Sequence, residues 1–269
     1  MKSICFANLK GGSGKTTNTF NIAGILAAEN KVLLFDIDPQ ANLTSNMDID
    51  IEEDSILSVK TIFEDPTMSV PPEDIVQRGR VDGLPNLDII PSSINLYEIE
   101  DTVNARLDKP RIVAKYMAKY QDFFNSYDYV LFDTNPSMCI FNINAFYVTD
   151  SIVLNSDVGY NSLKGAKIFR KIWDRKRELL EIGDNITALI ISNYSGVSNI
   201  SKAFLEAATT DPRLSDLTCV NFISRSDKLK EAEVFHMPIC LMKRRDKAVR
   251  KAVMQYTAVI DELREVGVF

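Results

Sequence analysis

The chain has 269 residues, 45% of them hydrophobic and 25% charged, enough apolar material for one large α/β unit or two small ones. A net charge of −6 and a pI near 5.0 exclude a generally basic nucleic-acid binder and leave room for a local basic face. Four cysteines without paired metal-type spacing, no apolar run of membrane-spanning length and no signal peptide before the first strand lead us to expect buried free thiols in the cytoplasm.

In chain order, Lys2–Ala7 reads as a short buried strand, Lys10 to Gly14 as a glycine-rich turn and Lys15–Glu29 as a helix. That succession is a phosphate cradle. Gly11, Gly12 and Gly14, with Ser13 among them, let backbone N–H groups close on an anion, and the helix N-terminus adds partial positive charge. Lys15 can reach terminal phosphates, the Thr16 hydroxyl suits Mg²⁺, and Thr17 completes the nucleotide-binding set. A second strand, Lys31–Asp36, is an apolar run that delivers carboxylates to its C-terminal edge, where ligands of open α/β sheets bind. Asp38 is placed to polarise an attacking water, and Asp36 to hold a metal's water shell or a switch loop.

Residues 48–54 carry five acids in seven positions and are expected to form a solvated acidic loop rather than a metal site. A short helix near Ser58–Phe63, a strand over Leu87–Ile90 and a helix over Arg111–Phe124 follow. Tyr129–Asp133 reads as a strand whose last residue places a carboxylate beside the glycine turn, where it can bind Mg²⁺ directly or through water. Further strands are expected at Ser151–Asn155, Ile186–Ser192 and Thr218–Ile223, and helices at Leu163–Leu180, Ser201–Thr209 and Asp246–Val266. The last has one core face at helical spacing. Short apolar runs alternating with helices predict a mostly parallel twisted sheet covered on both faces, and the absence of a linker predicts one domain over 1–269.

Two basic stretches stand out. Lys164 to Arg177 holds seven cations against one acid, Asp174, which suits either a solvated helix face or an anion contact. From Arg225 to Lys251 there are nine cations (Arg225, Lys228, Lys230, Lys243, Arg244, Arg245, Lys247, Arg250 and Lys251) against four acids, a net of +5 inside an acidic chain. Such a contrast points to an anionic partner, and separate phosphate contacts would give sequence-independent, salt-sensitive DNA binding.

The glycine turn departs from the strict P-loop pattern. Leu9 stands where a glycine is usual, and a second lysine, Lys10, opens Lys-Gly-Gly-Ser-Gly-Lys-Thr. This resembles the deviant Walker A motif of the ParA/MinD group of ATPases. Asp36-x-Asp38-Pro39-Gln40, Asp133 to Pro136, and Leu229–Ala232 with Pro238 extend the similarity over essentially the whole chain. Asn135 and Ser224 stand where the family usually has proline, and His236 where it has glycine.

The resemblance implies a P-loop NTPase fold and a DNA-partition ATPase of the short kind, without an N-terminal winged-helix domain. It implies ATP with Mg²⁺ and an ATP-dependent homodimer in which Lys10 crosses to the partner's phosphates. It also implies an adenine-reading role for Asn193, loading onto non-specific DNA at the nucleoid, and slow hydrolysis stimulated by a ParB-like centromere-binding protein. A MinD-like membrane switch would need a basic amphipathic C-terminal helix, whereas the chain ends in the acidic, short Asp261–Phe269. A metabolic ligase resembling dethiobiotin synthetase would leave the C-terminal basic cluster without a purpose.

Overall fold

The computed structural model describes residues 1–50 and 56–269, so most of the acidic stretch 48–54 lies outside the described residues. Seven strands alternate with helices along the chain. They are β1 (Lys2–Ala7), α1 (Lys15–Leu26), β2 (Val32–Asp36), α2 (Asn42–Ser45), α3 (Val59–Glu64), α4 (Pro72–Ile75), β3 (Leu87–Ile90), α5 (Glu100–Ala105), α6 (Ile112–Lys119) and α7 (Gln121–Phe124). After these come β4 (Tyr129–Asp133), α8 (Ile140–Val148), β5 (Ser151–Asp157), α9 (Tyr160–Leu179), β6 (Ile186–Tyr194), α10 (Asn199–Thr210), β7 (Thr218–Ser224), α11 (Asp227–Val234) and α12 (Lys247–Glu265).

The strands form one sheet in the order β3-β2-β4-β1-β5-β6-β7, and every neighbouring pair of them is parallel. Strands in such a sheet are buried on both faces, which is why β1, β2 and β4 read as continuous apolar runs. Alternate residues still divide between two cores. Cys5, Ala7, Leu33 and Phe35 join the side that also holds buried residues of α6, α8, α9 and α10. Ile4, Phe6, Val32 and Leu34 join the side that holds α1 and α12. Trp173 anchors α9 to the first of these. It is fully buried, stands edge-on to Phe146 at 5.4 Å, and its indole N–H donates to Asn185 Oδ1 at 2.9 Å. Its removal would cost about 3–5 kcal/mol.

The central position of β1 sets the site. Its partners are β4 on one side and β5 on the other, so the chain leaving Ala7 emerges between the ends of two neighbouring strands. In register, Asp133 pairs with Phe6 of β1 and Asp36 of β2, bringing both strand-terminal carboxylates to the edge where the glycine turn begins.

Four elements illustrate where the structure departs from the sequence expectation. The helix expected over Arg111–Phe124 is broken at Tyr120, whose backbone leaves helical geometry (φ −112°, ψ 39°) and whose hydroxyl donates to Met68 O at 2.8 Å. β5 and β6 each run two residues further than expected, to Asp157 and Tyr194. α8 escaped sequence reading because it is buried almost all round, leaving no 3.6-residue periodicity to detect.

Candidate phosphate-binding site and basic face

The turn after β1 wraps the start of α1 with backbone that an L side chain tolerates poorly. Gly14, at the N-cap of α1, has φ +89°, and a Cβ there would stand 3.1 Å from Ser192 Oγ. Both facts demand glycine. The turn is tied down from its other side by Asn8, whose amide donates to Ser162 O at 3.2 Å and whose Oδ1 accepts from Lys10 N at 3.0 Å. α9 reaches this close only because Gly165 has no side chain, since a Cβ there would come 2.5 Å from Asn8 Oδ1.

Above the turn lies a cavity of about 440 Å³ lined by Gly11–Thr17, Asp38, Gln40, Thr134 and Pro136, among others. Lys15 lies beneath it, only 7% exposed, its Nζ 3.5 Å from Lys10 O. Burial pushes its ammonium below the usual lysine range, and the charges of Asp133 and Asp38 oppose that shift. The Thr16 hydroxyl donates to Asp133 Oδ2 at 2.6 Å, and Thr19 Oγ1 lies 3.4 Å from Asp133 Oδ1. Asp133 is fully buried, and desolvation raises its carboxyl to about 7 even though Thr16 and Lys15 both favour its charged form. The buried Ser13 hydroxyl has no hydrogen-bond partner among the described residues. An unsatisfied hydroxyl under a ring of backbone N–H groups fits a bound anion.

The two carboxylates of the second strand differ. Asp38 lines the cavity, accepts from Gln40 N at 2.9 Å, and is raised by burial, with the Gln40 hydrogen bond and Lys15 opposing. Asp36 is fully buried and engaged on both oxygens, by Asp38 N at 3.1 Å, Thr44 N at 2.9 Å and Thr44 Oγ1 at 2.7 Å. Of its two expected roles, holding the loop over 38–44 is the one these contacts serve. Burial, and then repulsion from Asp133, raise it well above the carboxylate range.

Lys10 does not line the cavity. Its ammonium is held by both oxygens of Asp157, at 3.0 and 2.9 Å, at the end of β5. The sequence pattern ends β5 at Asn155 and so does not place Asp157 at this edge. Asn193 stands at φ +57°, a left-handed position that asparagine tolerates, and lines a second cavity of about 180 Å³ beside Ser192, Ser226 and Lys230.

The departures at 135 and 224 are compensated. Asn135 shapes its loop through Asn142, whose amide donates to Asn135 O at 2.9 Å and to Ser137 O at 2.8 Å. Ser224 donates its N–H to Gln255 Oε1 at 3.1 Å and accepts from Gln255 Nε2 at 2.7 Å. A proline could not make the first bond. His236 packs outside the site, its Nδ1 2.8 Å from Ser45 O.

Of the basic residues near the C-terminus, Lys243, Arg244, Arg245, Lys247, Arg250 and Lys251 are exposed and form no ion pair among the described residues, and Arg225 is likewise exposed. Lys228 is the exception, bound to Glu231 at 2.6 Å and to Asp246 at 3.4 Å. Lys247, Arg250 and Lys251 share the first turns of α12, where the helix dipole already concentrates positive charge. The arrangement weakens the helix and suits an anion. α12 is in turn fixed to α1: the Tyr256 hydroxyl donates to Asn18 Oδ1 at 2.9 Å, and Asn18 donates to Asn155 Oδ1 at 2.7 Å and Ser192 Oγ at 3.0 Å.

A parallel sheet whose first strand runs through a glycine turn into a helix carrying Lys15 and Thr16, with a strand-terminal aspartate bonded to that threonine, defines a P-loop nucleotide-binding protein. The chain belongs to the AAA domain family, whose model matches residues 1–182, and within that class to the ParA-type ATPases. The sporulation initiation inhibitor protein Soj of Bacillus subtilis (strain 168) is 29% identical over 245 residues, which cover 89% of this chain and 90% of Soj. Among solved structures, apo McdA of Cyanothece superposes with a TM-score of 0.80 at 21% identity, over 96% of this chain and 99% of that one. A putative plasmid partition protein of Borrelia burgdorferi B31 bound to AMPPNP gives 0.77 at 24% identity, over 98% of each chain. The two structural likenesses speak for the fold.

Proposed function

We propose that this chain acts as one unit over 1–269, an ATP-dependent DNA-segregation ATPase. It dimerises on ATP, binds DNA without sequence preference, and is released when a ParB-like partner stimulates an otherwise slow hydrolysis. Its place of work is the cytoplasm, at the nucleoid. The observation that carries this function is the mechanical link between two sites. The phosphate cradle on α1 and the unpaired cations on α12 belong to helices joined by the buried Tyr256–Asn18 hydrogen bond. The apolar face of α12 (Val249, Ala252, Tyr256, Val259, Ile260 and Leu263) is buried in the core, so it offers nothing to a membrane surface.

Within the site, the backbone N–H groups of Gly11 to Gly14 and the Lys15 ammonium would cradle the β- and γ-phosphates. Thr16 and Asp133 would hold Mg²⁺, which supplies charge neutralisation at the phosphate oxygens when bound. Among the described residues no three acidic, cysteine or histidine side chains converge as a metal cage. The hard-oxygen pair of Thr16 and Asp133 matches how Mg²⁺ binds in such sites, where phosphates and water complete its shell. Asp38, oriented by Gln40 N–H, would accept a hydrogen bond from the attacking water and aim it in line. Lys10 would exchange Asp157 for the phosphates of the second subunit, so that dimerisation and transition-state stabilisation share one residue.

Co-sedimentation with plasmid DNA tests this, run with ATP, ADP or no nucleotide across a salt series. Binding with ATP alone, weakening steeply with salt, is expected. Binding that ignores the nucleotide, or that transfers to anionic liposomes, would sink the partition function.

A further inference from the structure

Glu233 is the one carboxylate shared by two cavities. It stands on α11, half-buried, and lines both the 440 Å³ space above the glycine turn and the adjoining 180 Å³ space that contains Asn193, Ser226 and Lys230. Gly12, Gly14 and Thr17 also line both spaces, and none of them carries a charge. The Thr17 hydroxyl donates to Glu233 Oε1 at 2.6 Å, fixing the carboxylate at the seam. Oε2 accepts no hydrogen bond among the described residues.

A nucleoside triphosphate whose phosphates fill the first space and whose base enters the second must pass its sugar across that seam. What an ionised carboxylate welcomes there is a donor, because it is acceptor-only and repels phosphate. Ribose has two such donors in its 2′ and 3′ hydroxyls, and an acidic side chain on a ribose hydroxyl is a recurrent device of nucleotide sites. We infer that Glu233 accepts a hydrogen bond from a ribose hydroxyl of the bound nucleotide and thereby selects ribonucleotides over their deoxy counterparts. Thr17 positions it by holding Oε1, which leaves Oε2 for the sugar. This assignment rests on the nucleotide-binding function proposed above.

The test compares ATP, 2′-deoxy-ATP and 3′-deoxy-ATP by calorimetric titration of the full chain with Mg²⁺, in wild type and in Glu233→Ala and Glu233→Gln. A hydrogen bond to a charged acceptor predicts that wild type loses roughly ten- to hundred-fold in affinity for at least one deoxy analogue. Glu233→Ala should bind ATP only as well as wild type binds that analogue, erasing the discrimination, with Glu233→Gln between the two. Wild type binding ATP and both analogues within about twofold would overturn the inference while leaving nucleotide binding intact. So would Glu233→Ala tightening all three equally, which would make the carboxylate an obstacle to phosphate. The comparison within wild type needs no variant to fold. No binding of any of the three to folded wild type would overturn the nucleotide site itself, and this assignment with it.

Discussion

α9 and the approach to α12 look alike as text, each a run of lysines and arginines with few acids. In the fold they differ. On α9, Lys167 pairs with Asp211, Arg170 with Asp174 and Asp184, and Arg177 with Asp174. Three of its seven cations are spoken for by acids, two of which, Asp184 and Asp211, lie outside the helix. On the approach to α12, Lys228 alone of nine cations has an acidic partner among the described residues. Free positive charge is a property of the neighbours, which a run of letters does not contain. The phosphate site is the converse case, with Asp38 and Asp133 set against one buried lysine and Asp36 buried behind them.

The widest gap should appear in DNA binding. Changing Lys247, Arg250 and Lys251 together to Glu should weaken ATP-dependent DNA affinity by roughly a hundred-fold or more. The corresponding Ala triple should flatten the salt dependence by about 0.9 for each DNA phosphate left without its cation. The fair control is the α9 set of Lys171, Arg175 and Lys176, which form no ion pair among the described residues and lie beyond the helix's N-terminal turns. Its Glu triple should cost less than about threefold. Fluorescence anisotropy over a salt series reads both, and equal losses would erase the distinction between the two helices.

Lys10 carries the same logic into the site. Its bond to Asp157 means that a cation expected to serve a second subunit begins paired within its own chain. Lys10→Ala should abolish ATP-dependent dimerisation while nucleotide binding persists. Asp157→Asn should free the lysine and strengthen the dimer several-fold, consistent with the modest worth of a partly exposed pair. Light scattering with ATP measures each, and a weaker dimer in Asp157→Asn would show the pair to be part of the bound state instead.

These contacts mark where sequence reading stopped. β1, β3 and β4 carry the residue bounds expected of them: β1 and β4 are predominantly apolar interior strands, and β3, at the sheet's edge, is a short apolar segment carrying Asp88. The sequence order of Lys15, Thr16 and Asp133 foretold that they belong to one edge, and the register of β1 against β4 brings them together. Asp157 and Glu233 were missed because each acts through a partner more than a hundred residues away, Lys10 and Thr17 respectively. No local spacing encodes such a pair. Tyr256 was legible as a core residue, and its hydrogen bond to Asn18 was not.

The acidic imbalance around Lys15 makes a prediction of its own. Asp133 is held near 7 in the fold against 3.8 for the free side chain, so between these values the folded protein binds more protons than the unfolded chain. Its contribution to stability is therefore present at low pH and is lost as pH rises through about 7. The nucleotide-free protein should melt at lower temperature at pH 8 than at pH 5. Asp133→Asn should flatten that slope by a few degrees, since about 1 kcal/mol moves Tm by roughly 2–4 °C at this size. Asp36 is raised by the same causes and retains part of the slope. Asp133→Asn should also lose Mg²⁺-dependent hydrolysis, separating a more stable fold from a working site.

The smallest effect belongs to the paired cations of α9. Arg170 is 20% exposed and meets Asp174 and Asp184 at the surface, where such contacts contribute about 0.5–1 kcal/mol together after the cost of ordering the side chain. Arg170→Ala should lower Tm by no more than about 4 °C and leave ATP-dependent DNA binding within twofold, read on the same preparation. Removing Asp184 instead (Asp184→Asn) would release Arg170 without deleting it. If α9 becomes a DNA contact only in that variant, pairing rather than position is what silences its cations, and the contrast with α12 is one of neighbours alone.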